Sequence, residues 1–126
     1  NEVIENNLIE NARIVGGYLK KGLERLASQL SIIGDVRGKG LLLAVEIVSN
    51  ARTKSMFNMD QRAIYRISEL GIKNGILLYT RKTAKGENGE WLMIAPPLIS
   101  TTDQCDDFLS RLNETLKDFQ KEQGII

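Results

Sequence analysis

Gly34-Asp35-Val36-Arg37-Gly38-Lys39-Gly40-Leu41-Leu42-Leu43-Ala44-Val45-Glu46-Ile47-Val48 is the stretch whose reading decides the fold. Its glycines end whatever helix precedes it and permit turns. The run from Leu41 to Val48 has the length and β-branched content of a buried strand. Glu46 is the one charge inside that run. An unpaired buried carboxylate is costly, so Glu46 is expected on an open face or beside an arginine. Upstream, Ile4, Leu8, Ala12, Val15, Leu19, Leu23, Leu26 and Leu30 recur at spacings of three and four with charged residues between them. That period predicts one long amphipathic helix, weakened at Gly16-Gly17 and Gly22.

Downstream, Ser49 to Met59 reads as a polar, irregular loop. Asp60 is placed as N-cap of a second helix carrying Ala63, Ile64, Ile67 and Leu70 on one side, with Gly71 at its C′ position. Lys73-Asn74-Gly75 turns the chain into a strand over Ile76–Thr80. A linker from Arg81 to Glu90, with Gly86 and the turn pair Asn88-Gly89, leads to a further strand over Trp91–Ala95 that forms a hairpin with it. Pro96-Pro97 stops that strand, because proline cannot donate to a ladder. Thr101 and Gln104 have the spacing of a capping box. Cys105, Phe108, Leu109, Leu112, Leu116 and Phe119 then mark a final amphipathic helix. The order is helix, short strand, strand, helix, hairpin, helix. It lacks regular βαβ alternation and predicts an α+β two-layer sandwich: a small, mainly antiparallel sheet of three to four strands, covered by helices on one face.

The 126 residues suffice for one domain with a hydrophobic core, and the apolar content of 42% and charged content of 26% are those of an ordinary globular chain. The longest apolar run, Leu41 to Val45, is far below the roughly 18 residues of a membrane span. A net charge of +1 gives no electrostatic basis for binding nucleic acid or a membrane surface. The single cysteine, Cys105, cannot form an internal disulfide, and a cytoplasmic home is the simplest reading. With no histidine, neither a Ser-His-Asp nor a Cys-His nucleophile can be assembled, and there is little basis for a zinc site. A long helix from the first residue, without an initiating methionine, leads to the expectation that the chain is a piece of a larger protein.

The block Gly34 to Glu46 resembles the "vRGxGlmxgiEl" segment that opens the small domain of class III aminotransferases of the pyridoxal-phosphate (PLP) dependent, fold type I group. Leu92-Met93-Ile94-Ala95-Pro96-Pro97-Leu98-Ile99 resembles the same family's "xxxAPPLxit" segment. Gly75-Ile76-Leu77-Leu78-Tyr79 between them resembles its "G(i/l)lly" strand. The likeness covers the whole chain in order. It implies that residues 1–126 are a C-terminal small domain, with residues 1–30 the helix leading in from a large domain. It further implies transfer of an amino group from an amine or amino acid to a keto acid such as pyruvate through PLP, in a homodimer. The Schiff-base lysine, the aspartate facing the pyridine nitrogen and the phosphate loop belong to the family's large domain. No residue here matches them, so neither catalytic nor cofactor-binding residues are assigned to Lys39, Lys82, Lys85 or any other position, and the piece alone is expected to be inactive and to bind no PLP.

Three residues are candidates for substrate binding. Arg37 either shapes the entrance to a substrate pocket or ties its glycine turn to a carboxylate such as Glu46 or Asp35. Arg81 lies in the region where ω-aminotransferases resembling this chain place a mobile arginine that binds a carboxylate; a planar fork suits that task. Otherwise it is a solvated charge beside Lys82 and Lys85. Tyr79 lines a substrate channel or belongs to the core, and Trp91 lines the channel or packs at a strand edge. Met93 stands where the ornithine, acetylornithine and γ-aminobutyrate branches carry a carboxylate-holding arginine. Methionine cannot do that, which leans toward ω-amine, taurine-like or diamine substrates. Its plain reading is a core methionine. Cys105 is read as structural, since Asp103, Asp106 and Asp107 oppose the effect of the helix dipole on its thiol.

Two further readings remain beside the aminotransferase one: an independent α+β module that binds or senses a small molecule, and, least supported, a self-contained enzyme. An exposed apolar face on the opening helix and on Val36–Leu43 favours a domain that is one part of a larger enzyme.

Overall fold

The computed structural model describes residues 2–58, 62–82, 90–94 and 101–125, and the side chains from Asn7 onward, that of Lys82 excepted. The elements are α1 (Glu2–Gln29), β1 (Ile33–Lys39), β2 (Leu42–Ile47), α2 (Ala63–Lys73), β3 (Tyr79–Lys82), β4 (Glu90–Ile94) and α3 (Thr102–Glu122). The four strands form one antiparallel sheet in the order β1-β2-β4-β3. Helices α1 and α2 pack on the sheet, and α3 packs against both. This is the α+β sandwich expected from the order of elements.

Period-two alternation sorts the sheet residues. Leu43, Val45 and Ile47 of β2 are buried, as are Leu92 and Ile94 of β4. They meet Leu19, Leu23, Ile64, Ile67, Leu112, Leu116 and Phe119 in one continuous core. Phe57, from the long loop after β2, closes its edge against Phe119, with ring centroids 5.3 Å apart at 73°.

The glycines of α1 do not interrupt it. Gly16 is where the helix meets the turn between β1 and β2: a methyl group there would lie 2.7 Å from the Gly40 Cα and closer still to its carbonyl. Gly22 likewise admits the Leu109 side chain of α3, whose Cγ would be 3.3 Å from a Cβ. At Gly16 and Gly22, what reads as helix weakness in the sequence is close approach in the structure.

Several boundaries differ from expectation: β3 runs on to Lys82 and β4 begins at Glu90, so Arg81 lies in a strand rather than in the expected linker. Helix α2 runs through Gly71 to Lys73, and Gly75 (φ 86°) takes the left-handed position instead. The Gly75 N–H donates to Ile72 O at 3.1 Å and the Ile76 N–H to Gly71 O at 2.8 Å, the paired bonds of a Schellman ending. That ending holds Ile76 to the helix, so the strand begins only at Tyr79. Ile76 and Leu78 enter the core from the connection. At the other end of α2 the flanking residue is Arg62 (φ 47°), with no side-chain cap. Asp60 lies outside the described residues, as do the Gly86 and Asn88-Gly89 turn, Ala95, Pro96-Pro97, Leu98 and Ile99. The expected cap of α3 is present: Thr101 Oγ1 accepts from Gln104 N at 3.2 Å, and Gln104 Oε1 accepts from Thr101 N at 2.9 Å.

Candidate functional site

Cross-strand partners share a face, so the register places every candidate side chain. Opposite the helices, one row reads Asp35, Glu46, Trp91, Arg81, and the next reads Arg37, Ala44, Met93, Tyr79. Lys39 and Leu42 follow. The three candidates Arg37, Tyr79 and Arg81 therefore stand on one surface with Trp91 and Met93, on the side that the helices leave uncovered. Glu46 lies on this open face too, one of the two placements expected for it.

Arg37 is engaged from two sides. Its Nε donates to Asp35 Oδ2 at 2.6 Å, and its guanidinium carbon lies 5.4 Å from the centroid of the Trp91 ring. Of the two carboxylates considered for it, Asp35 is the one it meets. Asp35 is fixed in turn, because its Oδ1 accepts the Val36 N–H at 2.8 Å. Arg81, at the other side of the sheet, makes no hydrogen bond or ion pair with another described residue, and it is exposed. Glu46 folds back over the backbone: a Cβ at Gly34 would lie 2.6 Å from its Oε1. Gly34 sits in the irregularity between Ile33 and Asp35, and its carbonyl accepts from Lys54 Nζ.

Three plain packing readings give way here. Tyr79 is 59% exposed, outside the core. Met93 is half-buried on the open face, since its neighbours Leu92 and Ile94 take the core side. Trp91 belongs to β4, an interior strand, so it packs at no sheet edge. Ala44 and Leu42 complete the surface without having been singled out, although the alternation of residues 42, 44 and 46 carried the signal. Cys105 is buried, and burial pushes its thiol pKa up, with the Asp106 charge adding to the effect; it is a packing residue.

A second surface flanks the first. Leu8, Ile9, Ala12, Arg13, Lys39 and Gly40 line an open groove of about 440 Å³ where α1 passes the β1–β2 turn. Ile9, Ile14 and Leu42 are exposed. Apolar exposure falls on the opening helix and on Leu42 of the Val36–Leu43 segment, and equally on Ile72, Leu77 and Tyr79 farther along the chain, so it is not confined to the two segments where it was expected.

Lys20 Nζ donates to Gly38 O at 3.2 Å, Lys54 is tied to Gly34 O, and Lys39 is exposed at the end of the edge strand β1. Among the described residues no group of His, Cys, Asp and Glu side chains could hold a metal ion, and no helix is long and apolar enough to cross a membrane.

A helix-backed antiparallel sheet with an arginine-bearing open face defines a small domain of α+β class. The comparisons give its family. The family model for Aminotransferase class-III matches residues 1–116, and the chain belongs to that family. It is 36% identical over 121 residues to an uncharacterized aminotransferase, YodT, of Bacillus subtilis, a match covering 94% of this chain and 27% of that one. It is 30% identical over 125 residues to a taurine–pyruvate aminotransferase of Bilophila wadsworthia, covering 98% of this chain and 27% of the relative. Among solved structures, a transaminase from the marine bacterium Virgibacillus superposes with a TM-score of 0.88 at 29% identity, covering 97% of this chain and 27% of its own. An amine transaminase from an uncultivated Pseudomonas species, in a PLP-bound form, gives a TM-score of 0.76 at 28% identity, covering 92% of this chain and 24% of its own. The chain thus spans about a quarter of the length of these relatives.

Proposed function

We propose that residues 1–126 are the C-terminal small domain of a PLP-dependent class III aminotransferase, a cytoplasmic homodimer that moves an amino group from an amine or amino acid to a keto acid such as pyruvate. Residues 1–30 lead in from the large domain, which holds PLP; when bound, the cofactor supplies the carbonyl that takes up the amino group. The observation that carries this reading is the gathering of Arg37, Met93, Trp91, Tyr79 and Arg81 on the open sheet face of a chain that belongs to this family.

The domain's own side chains bind and orient. Arg81, exposed and without a partner among the described residues, receives the carboxylate of the keto acid, to which its fork presents two parallel donors. Tyr79 and Trp91 wall the approach, and Arg37 shapes the entrance. Met93 offers a soft apolar contact and no charge, which favours an ω-amine, a diamine or a taurine-like donor over a substrate needing a second carboxylate clamp. The taurine–pyruvate relative is in keeping with that preference.

The test is reduction with borohydride after mixing with PLP, followed by peptide mapping. In a full-length polypeptide carrying this domain, one lysine outside residues 1–126 is labelled stoichiometrically, and amine-dependent consumption of pyruvate accompanies it. Stoichiometric labelling of a lysine inside residues 1–126 overturns the division of labour.

A further inference from the structure

Arg37 and Arg81 share the open face but differ in state. Arg81 is exposed and unpaired among the described residues, whereas Arg37 is held by Asp35 and lies against Trp91. Arg37 and Trp91 stand on β1 and β4, on either side of β2, and their side chains meet across it; Ala44 of β2 is the cross-strand partner of Arg37 and the smallest side chain of that row. A larger residue at position 44 would crowd that space.

We infer that Asp35 and Arg37 form a positioning device for Trp91: Asp35 orients the guanidinium, and the guanidinium lies against the indole and fixes it beside Arg81. The device makes Trp91 a wall of defined orientation next to the arginine left free for an anion. It also withdraws Arg37 from anion binding, since a ligand carboxylate would have to displace Asp35 at 2.6 Å. The chemistry requires an arginine. A planar guanidinium can accept in-plane pairing with a carboxylate at one edge while its flat face meets an aromatic ring, and an ammonium cannot do both. Each of the two contacts is weak when exposed. In series they act on one degree of freedom, the orientation of the ring.

That Trp91 orientation matters for an anionic substrate rests on the proposed function; the positioning itself does not. The chain contains a single tryptophan, so its fluorescence reports Trp91 alone. The experiment compares wild type with Arg37→Lys, Asp35→Asn and Ala44→Leu by acrylamide quenching and emission anisotropy, with circular-dichroism melting as the control for folding. Arg37→Lys keeps the charge and loses the stacked plane, Asp35→Asn removes the anchor, and Ala44→Leu puts bulk directly beside Arg37. All three are expected to raise the unstacked population about two- to five-fold, the size of one exposed cation–π contact. The result is then higher quenching and lower anisotropy at unchanged helix content. Quenching and anisotropy equal to wild type in both Arg37→Lys and Asp35→Asn overturn the inference; a change in Arg37→Lys alone overturns the part given to Asp35. Should Ala44→Leu fail to fold, the two surface variants decide the matter. In a full-length polypeptide, Asp35→Asn is expected to raise KM for the keto acid with kcat little changed. An altered fluorescence with unaltered KM upholds the positioning and removes the open face from substrate binding.

Discussion

Gly16 of α1 rests on the backbone of Gly40, the turn between β1 and β2, so closely that no side chain fits between them. Gly40 itself adopts φ 57°. Two glycines, one in a helix and one in a turn, thereby let a helix seat directly on the end of a hairpin. Gly17, the next residue, has nothing within 4 Å of the position a Cβ would take.

The pair predicts opposite outcomes for the same substitution one residue apart. Gly16→Ala pushes α1 off the hairpin against backbone atoms that cannot rotate away, and is expected to cost about 1–3 kcal/mol. Gly17→Ala places a methyl group in open space within a helix and is expected to stabilise by about 0.5–1 kcal/mol. Thermal melting of both variants checks the pair, and equal effects would contradict the seating of α1.

The reciprocal cap at the start of α3 predicts a second loss. Thr101→Ala removes the acceptor for Gln104 N and leaves an orphan donor at the helix start, at a cost of about 1 kcal/mol. Thr101→Ser keeps the hydroxyl and is expected to stay near wild type by denaturant titration.

A third prediction concerns acid. Arg66 donates to Glu122 from Nε at 2.9 Å and from Nη2 at 2.5 Å, joining α2 to α3. That hydrogen bonding holds the Glu122 carboxyl below its ordinary value of 4.5. A lowered carboxylate pKa contributes stability that is present above the unfolded value and is lost as pH falls through the folded one. Arg66→Gln is therefore expected to melt below wild type at pH 7, and the gap is expected to close as the pH drops below 4.5. Added salt should narrow the gap as well, because both groups are partly solvated. A gap that stays constant from pH 7 to pH 3 would remove the pair from the account.

The fourth prediction tests Arg81. In a full-length polypeptide, Arg81→Ala is expected to raise KM for the keto acid about 10- to 100-fold, the worth of a charge-assisted hydrogen bond pair. The effect on an uncharged amine donor should be small. Equal losses for both substrates would place Arg81 outside carboxylate recognition.

The order of elements was legible because hydrophobic period distinguishes helix from strand over long runs, as from Ile4 to Leu30 and from Cys105 to Phe119. The ends of α2 and β3 were less so. Gly71 and Gly75 are both plausible helix stops, and only the hydrogen bonds of Gly75 and Ile76 tell which one takes the left-handed turn. The open face was half legible. Alternation shows that Trp91 and Met93 oppose Leu92 and Ile94, yet it does not say which pair the helices cover. Tyr79 was left between a channel and the core for this reason, and its 59% exposure decides against the core. The partner of Arg37 was narrowed to Asp35 or Glu46, and local geometry chose Asp35, two residues away on the same strand face.

The strand order carries a consequence for how the chain is made. Strand β2 pairs on one side with β1, its immediate neighbour in sequence, but on the other with β4, where Leu43 faces Ile94 and Ile47 faces Glu90. A ribosome delivers the hairpin and the helix seated on it well before it delivers β4. Throughout that interval the strand holding Leu43, Val45 and Ile47 presents an unfilled row of amides and carbonyls, the arrangement that recruits stray strands. Closing it requires a long loop to be drawn in, which is slow. The nascent chain therefore passes through a vulnerable stage that ends with residues 90–94, and truncation anywhere before them should yield an aggregating product rather than a smaller domain.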